Sequence, residues 1–276
     1  MKPIVSVCFI IFSFLMMGCS SVFYQPDQNL YIDPEKLPIQ PEPLNIKASD
    51  GHEIPAWHFK TSMKVPKGVF IHFHGNAQNL SSHFAFLASA PVHGYDHVIF
   101  DYRGYGRSEG RPTPKNTVSD GKDVLLWARK EFPGLPIIVF GQSLGGAVAL
   151  KSLIDLGEQF TADAVVIDSS FASYRSEART VLANHWLTWL LQPIGWLVVD
   201  NSMAPGQDVS KIKTKAFIVA HGDKDTIVDI SHGRKIFKYA SDPKEFWLVE
   251  KGHHTEFMFR KDQREALYDY LGKVLQ

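Results

Sequence analysis

Ser143 stands inside Gly141-Gln142-Ser143-Leu144-Gly145, followed by Gly146 and Ala147. The apolar run Pro136-Ile137-Ile138-Val139-Phe140 leads into this pentapeptide and Ala147-Val148-Ala149-Leu150-Lys151-Ser152-Leu153 leaves it. The serine is therefore expected on a sharp strand-to-helix turn, a nucleophile elbow that projects its hydroxyl from a strained backbone. Glycines flank it because a side chain at either place would strike the neighbouring strand or helix. The pentapeptide by itself also fits an ordinary Gly-rich turn holding an unreactive serine, so the partners of Ser143 decide its chemistry.

A serine hydroxyl is a weak nucleophile at neutral pH and needs a base to take its proton, with an acid to orient that base. On an elbow of this kind the acid follows the serine in the chain and the histidine comes last, after the final strand. Of twelve histidines, His185, His221, His232, His253 and His254 follow Ser143, and only the last two lie beyond the strand expected at Phe246–Val249. His253 is selected as the base, because Gly252 before it lets a post-strand loop turn tightly, and His254 is expected to face the flank or shape the pocket. Asp225, in His221-Gly222-Asp223-Lys224-Asp225-Thr226-Ile227-Val228, is selected as the acid. Asp223 suits a turn-stabilising bond, Asp168 at an earlier strand end is the reserve acid, and His221 is read as structural.

An acyl-transfer intermediate also needs two N–H donors for its oxyanion, one from the residue after the nucleophile and one from the loop after an earlier strand. These are assigned to the backbone amides of Leu144 and Asn76, with His74 expected to buttress the Asn76 loop. No His-x-x-x-His pair on a predicted helix and no Cys pair supports a metal site, and no cofactor is expected.

These residues need a scaffold. The 276 residues, 45% of them hydrophobic, suffice for one large α/β domain. Short Val/Ile/Phe-rich runs at 68–73, 97–101, 136–140, 164–168, 216–220 and 246–249 alternate with helical segments, including 81–90 and 117–130. That βα alternation is what a parallel sheet covered on both faces produces. A hairpin at the sheet edge is expected ahead of it, from Leu44-Asn45-Ile46-Lys47-Ala48 through Ser49-Asp50-Gly51-His52 into Glu53–Phe59. The segment 171–208 is longer than a simple crossover needs and carries Trp186, Trp189, Pro193 and Trp196. It reads either as a small apolar cap beside the site, lining an acyl pocket or touching membrane, or as a helix pair packed on the sheet.

Charge and the N-terminus bound the setting. Lys+Arg and Asp+Glu are each 29, so electrostatics suggest no nucleic-acid partner. Both cysteines, Cys8 and Cys19, lie in the first two dozen residues. Lys2, the apolar run from Ile4 to Met17 and Gly18-Cys19-Ser20 have the form of a secretory signal whose apolar part is too short to span a membrane. Leu15-Met16-Met17-Gly18-Cys19 resembles a bacterial lipobox, with Met in two places where that pattern commonly has Leu and Ala or Ser. On this reading 1–18 are a lipoprotein signal peptide, Cys19 is the lipidated N-terminus, 19–43 form a Pro-rich extended tether, and 44–276 form the folded domain. The membrane is then a partner through the anchor. Ser20 after the cysteine resembles the outer-membrane sorting pattern, which gives a bacterial envelope location.

The motifs taken together resemble a known family. His74-Gly75-Asn76-Ala77, Asp101-Tyr102-Arg103-Gly104-Tyr105-Gly106-Arg107-Ser108-Glu109-Gly110, Gly141–Gly146, Asp168-Ser169-Ser170-Phe171, His221–Val228 and Gly252-His253 are similar to the α/β-hydrolase superfamily, and within it to the Bem46-like group that includes ABHD17-type depalmitoylating enzymes. The likeness spans about residues 44–276 and departs at His254, where relatives commonly carry Asn. It implies an α/β-hydrolase fold, with a mostly parallel central sheet, helices on both faces and a small apolar cap insertion. It also implies that Asp101 to Ser108 form a structural loop on the oxyanion side. The activity expected is cleavage of carboxylic acyl esters, on small-molecule or lipid substrates, through an acyl-enzyme. A thioesterase or lysophospholipase acting on lipid-linked acyl groups is the alternative, followed by a serine peptidase and, from another class, a non-catalytic lipid-binding lipoprotein.

Overall fold

The structure is a computed structural model, and it describes residues 23–183 and 199–276. Eight strands form one sheet: β1 (Glu42–Lys47), β2 (Glu53–Phe59), β3 (Val69–Phe73), β4 (Asp96–Phe100), β5 (Ile137–Gln142), β6 (Ala164–Asp168), β7 (Ala216–Gly222) and β8 (Lys244–Val249). Their spatial order is β1-β2-β4-β3-β5-β6-β7-β8. The pairs β1/β2 and β2/β4 are antiparallel, and every pair from β4 to β8 is parallel. This is the α/β-hydrolase fold, with the expected hairpin at one edge.

The period of two along each strand divides the core. Ile71, Phe73, Val139, Val165, Ile167 and Val219 face one buried cluster, while Phe70, Ile138, Phe140, Val166 and Ile218 face the other. Helices α2 (Pro114–Glu131) and α3 (Leu144–Leu156) cover the first face, and α6 (Lys261–Val274) covers the second through Leu267, Tyr268 and Leu271. The helix expected at 117–130 starts earlier because Pro114 takes the first helical position and the Thr113 hydroxyl accepts from the Asn116 amide at 3.1 Å. The helix expected over 81–90 is instead one α-turn, α1 (Leu80–His83), continued by a 3₁₀ turn over Phe84–Leu87. Phe84, Leu87 and Ala90 recur every third residue and all are buried, which is the spacing a three-residue turn places on one side.

Two further helices follow the elbow, α4 (Tyr174–Ala183) in the segment expected as a cap and α5 (Ile230–Tyr239) after β7. Trp186, Trp189, Pro193 and Trp196 lie outside the described residues, as do the signal segment and Cys19.

The extended tether is corrected from Phe23 to Tyr31. Tyr24 is buried in the first core cluster, and its hydroxyl meets those of Thr117 (3.1 Å) and Tyr174 (3.2 Å). The Phe23 ring packs edge-on against Tyr174, with centroids 5.3 Å apart. Asp27 and Asn29 carbonyls accept from the Asn79 side-chain amide, and the Ser81 hydroxyl accepts from the Tyr31 amide. Proline content suggested an extended, unpacked chain, but two aromatic rings with a core to enter outweigh it. Burying one such ring stabilises by roughly 1.5–3 kcal/mol.

Candidate active site

Ser143 has φ 51° and ψ −124°, a backbone that few non-glycine residues adopt, at the junction of β5 and α3. The flanking glycines are there for the reason the sequence suggests. A Cβ on Gly145 would come within 2.1 Å of the Phe73 carbonyl oxygen on β3, and one on Gly141 within 2.7 Å of Gly146 Cα. The Ser143 amide is held by the Asp168 carbonyl at 2.9 Å, so the end of β6 locks the turn. Strain at this point is maintained by contacts on both sides of the strand.

The hydroxyl does not meet His253. The ring of His254 lies between the serine and the acid: its Nε2 is 3.0 Å from Ser143 Oγ and its Nδ1 donates to Asp225 Oδ2 at 2.8 Å. His253 is exposed. The correction has a clear cause in the backbone. Gly252 does not act as a free hinge; a Cβ there would lie 2.5 Å from Val249 Cγ1, and one on Gly222 would lie 2.2 Å from the Gly252 carbonyl oxygen. With Gly252 pressed against the end of β7, the next side chain turns outward. The Thr255 amide is bonded to Ser169 Oγ at 3.1 Å, which pulls the chain back across the site and turns His254 inward.

Asp225 is where the sequence put it, in the loop after β7. Its Oδ1 accepts from the amides of Ile227 (2.9 Å) and Val228 (3.0 Å), leaving Oδ2 for His254. His221, read as structural, donates from Nε2 to the Val228 carbonyl at 2.8 Å and sits 3.4 Å from Asp225 Oδ2. Burial pushes the Asp225 carboxyl up, but the bonds from His221, His254 and the loop amides outweigh it and hold the group well below the usual carboxylate range. It is an anion placed to stabilise an imidazolium on His254.

Asp168, the reserve acid, makes no hydrogen bond to His254. Its Oδ1 accepts from the Ser169 hydroxyl and its buried Oδ2 has no partner, so burial raises its pKa to about 7. Two carboxyls beside one histidine are thus driven in opposite directions by their surroundings.

The other wall of the site is the loop after β3. Gly75 lies against Ser143, since a Cβ on it would stand 3.6 Å from Ser143 Cβ. Ala77 and Gln78 both take positive φ, 55° and 56°. The Asn76 side-chain oxygen accepts from the Gln25 amide at 2.7 Å and from Tyr105 Oη at 3.1 Å, so residues 23–31 and the Asp101–Ser108 loop hold this wall from outside. His74 Nδ1 donates to the Gly75 carbonyl at 2.8 Å, and the Tyr102 hydroxyl donates to the His74 carbonyl. His74 is therefore placed beneath the loop rather than at the serine. Leu144, first residue of α3, carries an N–H that lacks an intrahelical acceptor by the geometry of a helix start. Leu144 thus adjoins Ser143 in the elbow, and Asn76 follows Gly75, which lies against the serine from the opposite wall.

Tyr105 acts within the structural loop that the resemblance places on the oxyanion side. Sequence reasoning does not anticipate the contributions of Gln25, which lies in the expected tether, and of Ser169, which acts through a contact between segments far apart in the chain.

Known proteins agree with this architecture. The solved esterase Pf2001 of Pyrococcus furiosus superposes with a TM-score of 0.69 at 19% identity, over 92% of this chain and 98% of that one. A thermostable carboxyl esterase from Bacillus coagulans gives 0.64 at 14% identity, over 86% and 99%. Among sequence relatives, the uncharacterized protein YfhR of Escherichia coli (strain K12) is 28% identical over 92% of this chain and 87% of its own length. The lysophosphatidylserine lipase ABHD12 of Danio rerio is 27% identical over 83% of this chain and 62% of its own length. The family model described as serine aminopeptidase, S33 matches residues 64–213, more than half of the chain. With the elbow and the eight-stranded sheet already in view, the chain belongs to that family, Hydrolase_4, and is an α/β-fold serine hydrolase.

Proposed function

We propose that this enzyme cleaves carboxylic acyl esters by covalent acyl transfer, with Ser143 as nucleophile, His254 as general base and Asp225 as the orienting acid. The observation that carries the reading is the continuous chain Ser143 Oγ, His254 Nε2, His254 Nδ1, Asp225 Oδ2, with steps of 3.0 and 2.8 Å. His254 takes the hydroxyl proton as Ser143 attacks the ester carbonyl, and returns it to the leaving alcohol as the C–O bond breaks. Water then enters and gives a proton to His254 as its oxygen attacks the acyl carbon; the bond to Ser143 Oγ breaks, His254 returns the proton to Oγ, and the acid leaves. The backbone amides of Asn76 and Leu144 are the donors for the oxyanion in both halves.

A fluorophosphonate probe and p-nitrophenyl esters of rising chain length test this directly. Labelling and turnover are expected in the wild type and absent in Ser143→Ala; unlabelled wild type, or faster cleavage of aminoacyl anilides than of any ester, overturns the ester reading.

A finer reading, a lysophospholipase or thioesterase acting on lipid-linked acyl groups, is supported by the likeness to a lysophosphatidylserine lipase. The packing of residues 23–31 adds to it. Phe23 lies against the base of α4 and Gln25 against the Asn76 loop, only four to six residues beyond Cys19. If Cys19 is acylated, four residues span at most about 14 Å, which keeps the catalytic face near the lipid surface. Attachment to a bacterial envelope membrane, with outer-membrane sorting, is part of this proposal and is checked by metabolic palmitate labelling that globomycin perturbs and Cys19→Ala abolishes. A preference for butyrate over long-chain esters and lysophospholipids would remove the lipid branch while leaving the esterase.

A further inference from the structure

A line of buried polar side chains runs from the middle of the sheet to the oxyanion wall, and its hydrogen bonds favour one proton arrangement over its reverse. His97 Nε2 is 3.2 Å from His72 Nδ1, His72 Nε2 is 2.7 Å from Gln142 Oε1, Gln142 Nε2 is 3.0 Å from His83 Nδ1, and His83 Nε2 is 3.1 Å from the Ala77 carbonyl oxygen. His72 and His97 are fully buried and Gln142 is 1% exposed. Burial holds all three imidazoles below their ordinary pKa, so each is neutral and has one donor and one acceptor.

The amide of Gln142 sets the direction. Its oxygen can only accept, so His72 Nε2 carries the proton, His72 Nδ1 is bare and His97 Nε2 donates to it. His97 Nδ1 is then bare, and it is indeed a buried nitrogen without a hydrogen-bond partner. On the other side the Gln142 N–H donates to His83 Nδ1, which puts the His83 proton on Nε2, facing the Ala77 carbonyl. Turning the amide over would reverse every step. It would leave a bare His83 nitrogen against the Ala77 oxygen and bury an unpartnered N–H on His97, which costs more than an unpartnered acceptor.

We propose that Gln142 is a positioning residue for the oxyanion hole, joining its two halves from one side chain. Its backbone precedes Ser143 and Leu144 in the elbow, while its amide, through His83, pins the Ala77 carbonyl of the opposite wall. That wall needs holding, because Ala77 and Gln78 are consecutive non-glycine residues with positive φ. The relay keeps the Asn76 amide in register with the Leu144 amide, so its contribution appears where charge develops on the substrate oxygen and little in ground-state binding.

This inference rests on the acyl-transfer reading above. Gln142→Met keeps the length and removes both hydrogen bonds; His83→Ala cuts the relay next to the wall. With p-nitrophenyl butyrate, each variant is expected to lower kcat about 10- to 100-fold, at or below the roughly 100- to 1000-fold cost of removing an oxyanion-hole donor outright, with KM within about twofold, and to weaken an alkyl boronate inhibitor by the same factor as kcat/KM. His97→Phe, which touches only the far end, is expected to change kcat less than His83→Ala. Unchanged kcat and boronate affinity in a folded Gln142→Met or His83→Ala would overturn the proposal. So would a loss carried by KM alone. Should Gln142→Met not fold, His83→Ala decides, since His83 is only partly buried. Failure of the acyl-transfer reading looks different: the wild type itself would turn over no ester and Ser143 would take no fluorophosphonate.

Discussion

The elbow at Ser143 and the loop that carries His254 meet at one hydrogen bond, yet they are built in different ways. In the elbow, a buried strand, five residues and a small-residue helix define the geometry, and the glycines are explained by atoms within a few residues or on the adjoining strand. The histidine loop has no such local logic. Which of two adjacent imidazoles points inward depends on Gly252 packed at Gly222, on Lys224 bonded to the Gly252 carbonyl, and on Ser169 holding Thr255. A turn that is written into neighbouring residues can be found by reading them. A turn that is imposed by two distant segments cannot.

The sharpest way to break this comparison is to exchange alanine for each histidine in turn. His254→Ala is expected to lower kcat on the order of 10⁴-fold or more, as removal of a triad base does, whereas His253→Ala, a change at an exposed side chain, is expected to stay within about threefold. Equal losses, or the reverse order, would mean that the inward histidine is misassigned; the measurement is kcat on a soluble ester, with folding checked by circular dichroism. Asp225→Asn comes next, at about 10³- to 10⁴-fold in kcat, because the imidazole loses the acceptor that fixes its tautomer.

The elbow is tested through its scaffold. Gly145→Ala forces a Cβ to within 2.1 Å of a strand carbonyl, so the variant is expected to lose several kcal/mol, about 3 or more, or fail to fold. Denaturant unfolding reads this, and a variant as stable as the wild type would show that the turn can relax. A smaller effect is expected from Tyr24→Phe, where removal of a hydroxyl shared with Thr117 and Tyr174 is expected to cost about 1 kcal/mol. No change there would return residues 23–31 to the status of a loosely laid segment.

A pH series separates the two carboxyls near His254. Asp225 is depressed below its ordinary 3.8, so it binds fewer protons folded than unfolded; its stabilisation is present above pH 3.8 and fades as the pH falls through the lowered value. Asp168 is raised from 3.8 to about 7, so the folded state holds the extra proton, and stability falls as the pH rises from about 4 to about 7. Asp168→Asn is therefore expected to flatten the decline in melting temperature between pH 5 and 8. A decline of unchanged slope would mean that Asp168 is ionised in the folded protein.

Much of the molecule was legible before any coordinates. The β-runs at 68–73, 136–140, 164–168 and 216–220 became neighbouring parallel strands because unbroken Val/Ile/Phe segments suit only a sheet covered on both faces. Ser143 and Asp225 each follow such a strand, so strand ends and chain order were enough to place them in the fold. The tertiary structure decided the rest. It chose His254 over His253, drew Tyr24 and Gln25 out of a proline-rich segment onto the core and the oxyanion wall, and lined up His97, His72, Gln142 and His83 from four separate places in the chain. Periodicity and turn chemistry are local properties and are carried by consecutive residues. The direction of a side chain in an irregular loop, and the partner of a buried polar atom, are fixed only by what the folded chain brings against them.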